Sequence, residues 1–318
     1  MTRTEIRAAI RTDGRYIVAG HERPDGDSVG SMLALVRWLE TRGAHAAAVF
    51  PNAVPEPYSA LPGADDVLDS FPDDLSDTTI VVVDTPAPDR VAGLGDALDR
   101  AQRVVVIDHH PDNSRFGDAN LVDTDASSAA LLVYELIRDA EQPIDADVAS
   151  LLYVGLMTDT GGFRFSNTDE RTLRAAADLV SLGADPAGLA NRVYGAQPVG
   201  RLRLLGLVLS SVETELDGRV AFLALTNEMR AETGATGEEI EGLASYGRLI
   251  KGVEVSVLLR EEDGSVRLSM RSRGAVDVNA LARRLGGGGH RAASGALVEG
   301  TLEEARARVL DALGGLLP

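Results

Sequence analysis

The stretch VVVIDHHPDN, Val104 to Asn113, decides how the fold of this chain is interpreted. It begins with four consecutive Val and Ile residues, which is typical of a strand buried on both faces of a parallel sheet. It ends in an aspartate followed by two of the chain's five histidines. A strand that only has to end can do so on Gly, Asn or Pro. Clustered acidic and imidazole groups at a strand end therefore indicate a ligand, and a metal ion suits them best.

Two other predicted strands end in the same kind of side chain. RYIVAG, residues 15–20, is followed by HERPDGD, and TIVVVD, residues 79–84, ends on an acid. Ligands of an open parallel sheet bind beyond the carboxyl ends of its strands. If the three strands are parallel and adjacent, the side chains at their ends meet in one crevice. These side chains are His21, Asp25, Asp27, Asp84, Asp108, His109 and His110.

A fourth stretch, GLMTDTGGFRF (155–165), adds Asp159 after a helical segment and before glycines that permit a tight turn. One Asp after a strand is most often a turn residue, but many carboxylates in one crevice would repel each other and raise each other's pKa. A multiply charged cation removes that penalty. Oxygen and imidazole donors suit Mn²⁺, Mg²⁺ or Fe²⁺. The number of donors exceeds the need of one ion, which favours two metals with a shared carboxylate, an arrangement used for phosphoryl transfer.

The remaining pattern predicts two domains. Helical spacing at 28–43, 127–139 and 146–157 alternates with the strands, which indicates an open, mostly parallel α/β sheet flanked by helices over residues 1–190. After a connector at 191–205, residues 206–318 predict a smaller α+β domain. Its elements are a strand at 219–226, a helical stretch around 237–250, a hairpin turning at EEDG (261–264), a helix at 277–285, a glycine cluster, and a last helix that Thr301 and Glu304 open as a capping box.

Composition limits the function classes. No stretch approaches the roughly 18–20 uninterrupted apolar residues of a membrane span, the N-terminus lacks a signal-peptide core, and Cys is absent. We therefore expect a cytoplasmic protein without disulfides or thiolate metal sites. The net charge is −18 and no basic patch is visible, which argues against coating long nucleic acid. The acidity has two interpretations, the codon preference of a GC-rich genome or adaptation to a salty cytoplasm.

The quoted residues resemble the DHH phosphoesterase family, which is named for the triplet seen here as Asp108-His109-His110. The similarity covers HERPDGDSVGS (21–31), VVVDT (81–85), IDHHPDN (107–113) and GLMTDTGGFRF (155–165). It extends to GGGGHRAASGA (286–296), which is similar to the signature of the DHH-associated substrate-binding domain. Arg291 departs from the pattern, because relatives often carry a smaller residue or a proline there.

The resemblance implies a role for each candidate. One metal would be held by His21, Asp25 and Asp84, and the second by Asp27, Asp84, His109 and Asp159, with Asp84 bridging. His110 would face the substrate phosphate. Asp108 would be either a ligand or the partner that orients an imidazole, and we favour the second. The nucleophile would be a water or hydroxide between the ions.

The second domain would supply the substrate pocket. Arg271 and Arg273 are two apart, so on a strand both would point to the same face, although a solvated strand face is the plain alternative. The glycines can be a helix C-cap and loop, or can let backbone N–H groups approach an anion. With the resemblance, we expect the far phosphate and nucleotide to be bound by Arg271, Arg273, Gly287, Gly288, Gly289 and His290.

The two-domain length resembles family members that degrade very short RNAs and remove the 3′-phosphate from 3′-phosphoadenosine 5′-phosphate. Cleavage of pApA or cyclic di-AMP is the nearest alternative, because it needs the same metals and a similar pocket. A RecJ-like single-strand exonuclease, a manganese pyrophosphatase and a non-catalytic nucleotide-binding subunit fit the sequence less well. The oligomeric state stays open, although homodimers are common among relatives.

Overall fold

The computed structural model describes residues 1–317 except 11–13, 52, 92, 196, 236–239, 241 and 274–275. Its contacts divide the chain into two compact units, Met1–Ala196 and Gln197–Pro318. The stretch assigned to a connector is largely helical. Asn191–Gly195 forms a turn of π-helix in the first unit, and an α-helix begins at Val199 in the second.

The first unit contains a five-stranded parallel sheet. Its strands follow the spatial order β2-β1-β3-β4-β5 and are β1 (Arg15–Ala19), β2 (His45–Val49), β3 (Thr78–Val83), β4 (Arg103–Asp108) and β5 (Ala119–Val122). All residues of β3 are buried, which explains its uninterrupted apolar run. The predicted parallel sheet is confirmed, and β1, β3 and β4 are adjacent, so their carboxyl ends lie side by side.

Helices cover this sheet, and the way they pack positions the start of the second helix. They are α1 (Arg3–Ala9), α2 (Gly26–Thr41), α3 (Ala97–Arg100), α4 (Ala129–Asp139), α5 (Ala146–Asp159), α6 (Glu170–Ser181) and α7 (Pro186–Ala190). A Cβ atom at Gly30 of α2 would lie 2.4 Å from the Leu151 carbonyl oxygen of α5. A Cβ atom at Gly26, the first residue of α2, would likewise lie 2.5 Å from the Thr158 side chain, so the start of α2 packs on the end of α5.

The second unit is a six-stranded mixed sheet with helices. Its spatial order is β10-β11-β9-β8-β7-β6, from the strands β6 (Glu213–Glu215), β7 (Val220–Leu225), β8 (Val255–Glu262), β9 (Ser265–Ser272), β10 (Gly288–His290) and β11 (Ala293–Glu299). Among the described residues of this unit, β7 and β8 are the only strands that pair in parallel. The helices are α8 (Val199–Ser210), α9 (Asn227–Thr233), α10 (Val278–Arg284) and α11 (Leu302–Ala312).

Several local predictions for this unit are confirmed. The hairpin of β8 and β9 turns between Glu262 and Ser265, and Thr301 with Glu304 forms the capping box of α11. The helical stretch expected around 237–250 lies partly outside the described residues, and Leu243–Leu249 is a 3₁₀ helix. Across the described part of the chain, no helix combines the length and the apolar character needed to cross a membrane.

Candidate metal centre and active site

Asp84 occupies the first position after β3 and has an unusual backbone. Its φ is +52°, and its N–H donates a 3.0 Å hydrogen bond to the Ile107 carbonyl oxygen of β4. A left-handed backbone at a residue other than glycine costs of order 1–3 kcal/mol and persists where the surroundings enforce it. The side chain is only 3% exposed. The strand end therefore holds one buried carboxylate in a strained position, which is typical of a functional residue.

Two acids at the start of α2 each cap a helix. Asp25 is the N-cap of α2 and accepts hydrogen bonds from the N–H groups of Asp27 and Ser28. Asp27 is 1% exposed, and its two oxygens accept the N–H groups of Ala129 at 2.6 Å and Ala130 at 2.8 Å. These are the first residues of α4, where unpaired N–H groups favour an anion. The sequence does not predict that Asp27 caps α4, because the two N–H donors lie 102 and 103 residues away from it.

His109 faces three of the candidate carboxylates. Its Nε2 lies 3.4 Å from Asp84 Oδ1, 3.9 Å from Asp27 Oδ2 and 3.8 Å from Asp159 Oδ2. Its Nδ1 lies 3.3 Å from the Ala126 carbonyl oxygen, which suits a proton on Nδ1 and a lone pair on Nε2. A backbone partner of this kind fixes the ring of a metal-binding histidine.

The candidate ligands form three overlapping groups that share Asp84 or His109. His21 Nε2 lies 3.5 Å from Asp84 Oδ2, while His109 approaches the other oxygen of the same carboxylate. Within each group, the potential ligand atoms lie within 4.8 Å of one another. The groups are His21, Asp25 and Asp84, then Asp27, His109 and Asp159, and a third that joins Asp84, Asp108, His109 and His110.

The electrostatics of this cluster fit a bound cation. Burial and the charge of Asp84 raise the pKa of Asp27 well above its ordinary value, and burial raises the pKa of Asp159 to about 7. For Asp84, the neighbouring His109 and His21 rings outweigh burial and lower the pKa. For His109, the partnership with Asp84 outweighs burial and raises the pKa to about 10. So many carboxylates resist ionising together, and divalent cations would remove that penalty.

Asp108 and His110 form a pair beside the ligand groups. His110 Nδ1 lies 2.8 Å from Asp108 Oδ1, and Asp108 Oδ2 accepts a 2.6 Å hydrogen bond from the Asn113 amide. Asn113 also donates to the Thr85 carbonyl oxygen at 3.2 Å. Asp108 is fully buried, and both of its oxygens have a partner. This geometry is that of a carboxylate that orients an imidazole, and it includes Asn113, to which the sequence analysis assigned no role.

Asp159 is the last residue of α5 and precedes a turn with two left-handed glycines. The φ values of Gly161 and Gly162 are +60° and +71°, as the tight turn requires. The amide of Asn167 donates to the Asp159 carbonyl oxygen at 3.2 Å and to the Ser127 carbonyl oxygen at 3.0 Å. The turn is thereby tied to the segment before α4, which helps to hold Asp159 beside the other acids.

The two arginines predicted to share a strand face are placed differently. Arg271 lies in β9, where its Nη1 donates a 3.0 Å hydrogen bond to the Met270 carbonyl oxygen. Arg273 lies beyond the end of β9, and its guanidinium donates to the Arg248 carbonyl oxygen. Arg271 thus lies on the strand and Arg273 directly follows its last residue, Ser272, so a shared face of the two arginines stays a prediction.

The glycine cluster is built into the sheet. Gly286 follows α10 with a φ of +78°, and Gly288–His290 form the edge strand β10, whereas a loop was one of the two expectations for this cluster. A Cβ atom would lie 2.0 Å from the Gly295 carbonyl oxygen if placed at Gly287, and 2.7 Å from the Ala293 carbonyl oxygen if placed at Gly289. Gly288 has open space at this position, and His290 is exposed. Gly287 and Gly289 are thus needed for the close approach of this segment to β11, because a larger side chain would clash with the β11 backbone.

Comparison with known proteins assigns the class. Residues 15–156 match the DHH family, N-terminal domain, and residues 217–317 match the DHHA1 domain. The chain belongs to the DHH family of phosphoesterases and is a hydrolase of phosphoester bonds, with a buried Asp/His cluster suited to metals.

Similarity to individual members extends over both domains. The chain is 36% identical over 310 residues to the bifunctional oligoribonuclease and PAP phosphatase NrnA of Thermus thermophilus, covering 97% of this chain and 91% of that protein. It is 30% identical over 299 residues to NrnA of Bacillus subtilis, covering 93% of each. The crystal structure of an exopolyphosphatase-related protein from Bacteroides fragilis superposes with a TM-score of 0.92 at 30% identity, covering 98% of this chain and 95% of that one.

Proposed function

We propose that this chain is a two-metal hydrolase that degrades short oligoribonucleotides, removes the 3′-phosphate from 3′-phosphoadenosine 5′-phosphate, or does both. The observation that carries the proposal is the position of Asp84, whose two oxygens approach different histidines, His21 at 3.5 Å and His109 at 3.4 Å. One carboxylate that reaches both ligand groups is what a shared bridge between two ions requires. We assign the first ion to His21, Asp25 and Asp84, and the second to Asp27, Asp84, His109 and Asp159.

The donor set suits Mn²⁺, with Mg²⁺ and Fe²⁺ as alternatives. When bound, two such ions would lower the pKa of an attacking water and stabilise negative charge on the phosphoryl oxygens. We assign to His110 the contact with the substrate phosphate. Asp108 engages Nδ1 of this ring, so we assign the phosphate contact to its Nε2 side. Asp108 then acts by holding the imidazole in one tautomer and one orientation.

The proposed substrates are supported by two kinds of observation. The relatives that match nearly the whole chain carry the names of oligoribonucleases and PAP phosphatases. The second unit also offers cationic and polar groups for a phosphate, and we propose that it is the substrate-binding domain. Its contacts would come from Arg271, Arg273, His290 and the backbone of Gly287, Gly288 and Gly289.

Parallel rate measurements test the proposal. With Mn²⁺ and purified protein, we expect hydrolysis of RNAs of three to five nucleotides or of 3′-phosphoadenosine 5′-phosphate, and slow or no hydrolysis of a 25-nucleotide RNA. Fastest turnover of pApA or cyclic di-AMP would replace the proposed substrates with the nearest alternative. Processive digestion of the long strand would indicate a RecJ-like exonuclease. If every nucleotide stays intact, the protein is a non-catalytic binding subunit and the proposal fails.

A further inference from the structure

Two exposed aromatic side chains lie at the turn that follows Asp159. Phe165 is 44% exposed and Tyr194 is 45% exposed. Aromatic residues are rare in this chain, at 4% of the sequence. Within the described part of the chain, every other aromatic side chain is buried or half-buried. Single exposed apolar residues are ordinary. Two exposed aromatic residues that both contact one turn beside the candidate metal ligands are unusual.

The structure ties both residues to the turn that contains Gly161 and Gly162. The N–H groups of Arg164 and Phe165 both donate to the Thr160 carbonyl oxygen, at 3.0 Å each. The Phe165 ring tip rests on Gly161, since a Cβ atom there would lie 2.3 Å from Cζ of the ring. Glycine at 161 is thus required by the ring as well as by the left-handed φ of +60°.

Tyr194 reaches this turn from the far end of the first unit. Its hydroxyl donates a 3.2 Å hydrogen bond to the Met157 carbonyl oxygen, which also accepts the Gly162 N–H at 2.7 Å. The phenol is therefore anchored at the end of α5, two residues before Asp159. A ring fixed in this way loses little conformational entropy when a flat ligand settles on it.

A cation accompanies the two rings. Arg164 is exposed, and its Nε donates a 2.6 Å hydrogen bond to the Gly161 carbonyl oxygen. Burial raises the pKa of Tyr194, and the positive charge of Arg164 partly offsets this rise. Aromatic rings for base stacking together with an arginine for the backbone are what single-stranded nucleic acid sites use.

We propose that Phe165 and Tyr194 form a stacking platform for a nucleobase of the substrate, and that Arg164 contacts the adjoining sugar–phosphate backbone. This inference rests on the proposed function and adds to it a base-recognition subsite within the first unit. A nucleobase fits better than a protein partner because the platform is small, carries a cation and adjoins the candidate ligand Asp159. Every base has a π-face, so this subsite would favour nucleotides without selecting a sequence.

Substrate discrimination provides the first test. Loss of a base–aromatic stack costs about 1–3 kcal/mol, so Phe165→Ala should raise the KM for a three-nucleotide RNA about 5- to 150-fold, whereas Phe165→Trp should keep a KM near that of the wild type. The wild type should also prefer this RNA to an abasic analogue, and Phe165→Ala should lose most of that preference. Leu173→Ala is the matched control, because Leu173 is an exposed apolar residue of α6 at 51% exposure. It should keep both the KM and the preference.

A binding measurement separates failure of this inference from failure of the proposed function. Trp38 is the only tryptophan and is 1% exposed, so an indole in Phe165→Trp reports on the platform. We expect adenosine monophosphate to quench this variant and to leave Leu173→Trp unchanged. If the three-nucleotide RNA is cleaved but Phe165→Ala keeps the wild-type KM and preference, the platform is refuted while the function stands. If no nucleotide is cleaved, the proposed function is refuted. The quenching of Phe165→Trp by adenosine monophosphate then tests by itself whether the platform binds a nucleobase. If adenosine monophosphate does not quench Phe165→Trp, and the wild type is a dimer that Phe165→Ala loses, the two rings form a contact between copies of the chain instead of a nucleobase site.

Discussion

Asn113 donates a 2.6 Å hydrogen bond to Asp108, and this contact fixes a carboxylate whose other oxygen lies 2.8 Å from Nδ1 of His110. The three side chains are spaced within six residues, yet the hydrogen bonds run from a loop back into the end of β4. Asn113 also binds the Thr85 carbonyl oxygen, so the ends of β3 and β4 are joined through it. Asn113 thereby holds the carboxylate that faces Nδ1 of His110.

Replacing Asp108 by Asn should impair turnover without removing the metals. An amide donates where the carboxylate accepts, so the imidazole of His110 would turn or change tautomer. We expect kcat to fall about 10- to 100-fold, as is typical when a residue that orients a ligand is changed. Metal content measured by atomic spectrometry should stay at the wild-type value. Asp112→Asn is the control, since Asp112 is exposed in the same loop and the charge change is equal. Loss of metal in Asp108→Asn would instead make Asp108 a ligand.

Removal of Asp84 should abolish turnover, because its two oxygens face His21 and His109, one in each proposed ion site. Asp84→Ala should also bind fewer manganese ions per chain in equilibrium dialysis than the wild type. Asp99→Ala, at an exposed position of α3, should match the wild type in both measurements. A variant at position 84 that keeps most of its activity would refute the bridging role.

Asp27 and Asp159 should differ in their effect on the stability of the metal-free protein. Asp27→Ala leaves the first N–H groups of α4 without their partner, which costs about 1–3 kcal/mol of the free energy of unfolding. Asp159 has a raised pKa in the folded state, so its ionisation weakens the fold as pH rises from about 4 through about 7. Asp159→Asn should therefore raise the melting temperature at pH 8 in EDTA, whereas Asp27→Ala should lower it. Equal losses in both variants would contradict the assigned roles.

Binding of Mn²⁺ near neutral pH should release protons. The pKa of His109 is about 10 in the metal-free protein, so its ring carries a proton that a metal ion must displace, and Asp159, with a pKa of about 7, is partly protonated as well. Isothermal titration calorimetry in two buffers of different ionisation enthalpy should give a net release of about one proton or more. Metal affinity should fall as pH decreases from 8 to 6, and His109→Ala should release fewer protons than the wild type. Identical enthalpies in the two buffers would contradict this prediction.

His290→Ala should weaken substrate use while leaving metal content unchanged. His290 is exposed on the edge strand β10 and belongs to the second unit, whereas all candidate ligands lie in the first. We expect a higher KM for short RNA and an unaltered manganese content. Arg267→Ala, an exposed position of β9, is the control. Reduced manganese in His290→Ala would overturn the separation of metal and substrate roles between the domains.

The parts of the site that follow from local pattern could be predicted from sequence. Val and Ile runs that end in acids identify β3 and β4, and parallel adjacency then brings Asp84 and His109 together. Contacts between distant segments could not be predicted, because no local pattern encodes them. The Asp27 carboxylate accepts a hydrogen bond from the first residue of α4, which is 102 residues away in the sequence. The close approach of Gly287 to Gly295 depends on strand pairing, and a run of glycines does not predict a strand. Base stacking at Phe165 likewise depends on exposure, which sequence does not give.

The carboxylate of Asp27 is at once a candidate ligand and the anchor of the first turn of α4. Chemistry and scaffold thus meet in a single side chain. A relative that binds another metal, or none, could not replace this residue without a cost in stability, because the N–H groups of Ala129 and Ala130 would lose their hydrogen-bond acceptor. Selection for the reaction and selection for the fold would therefore both act on Asp27.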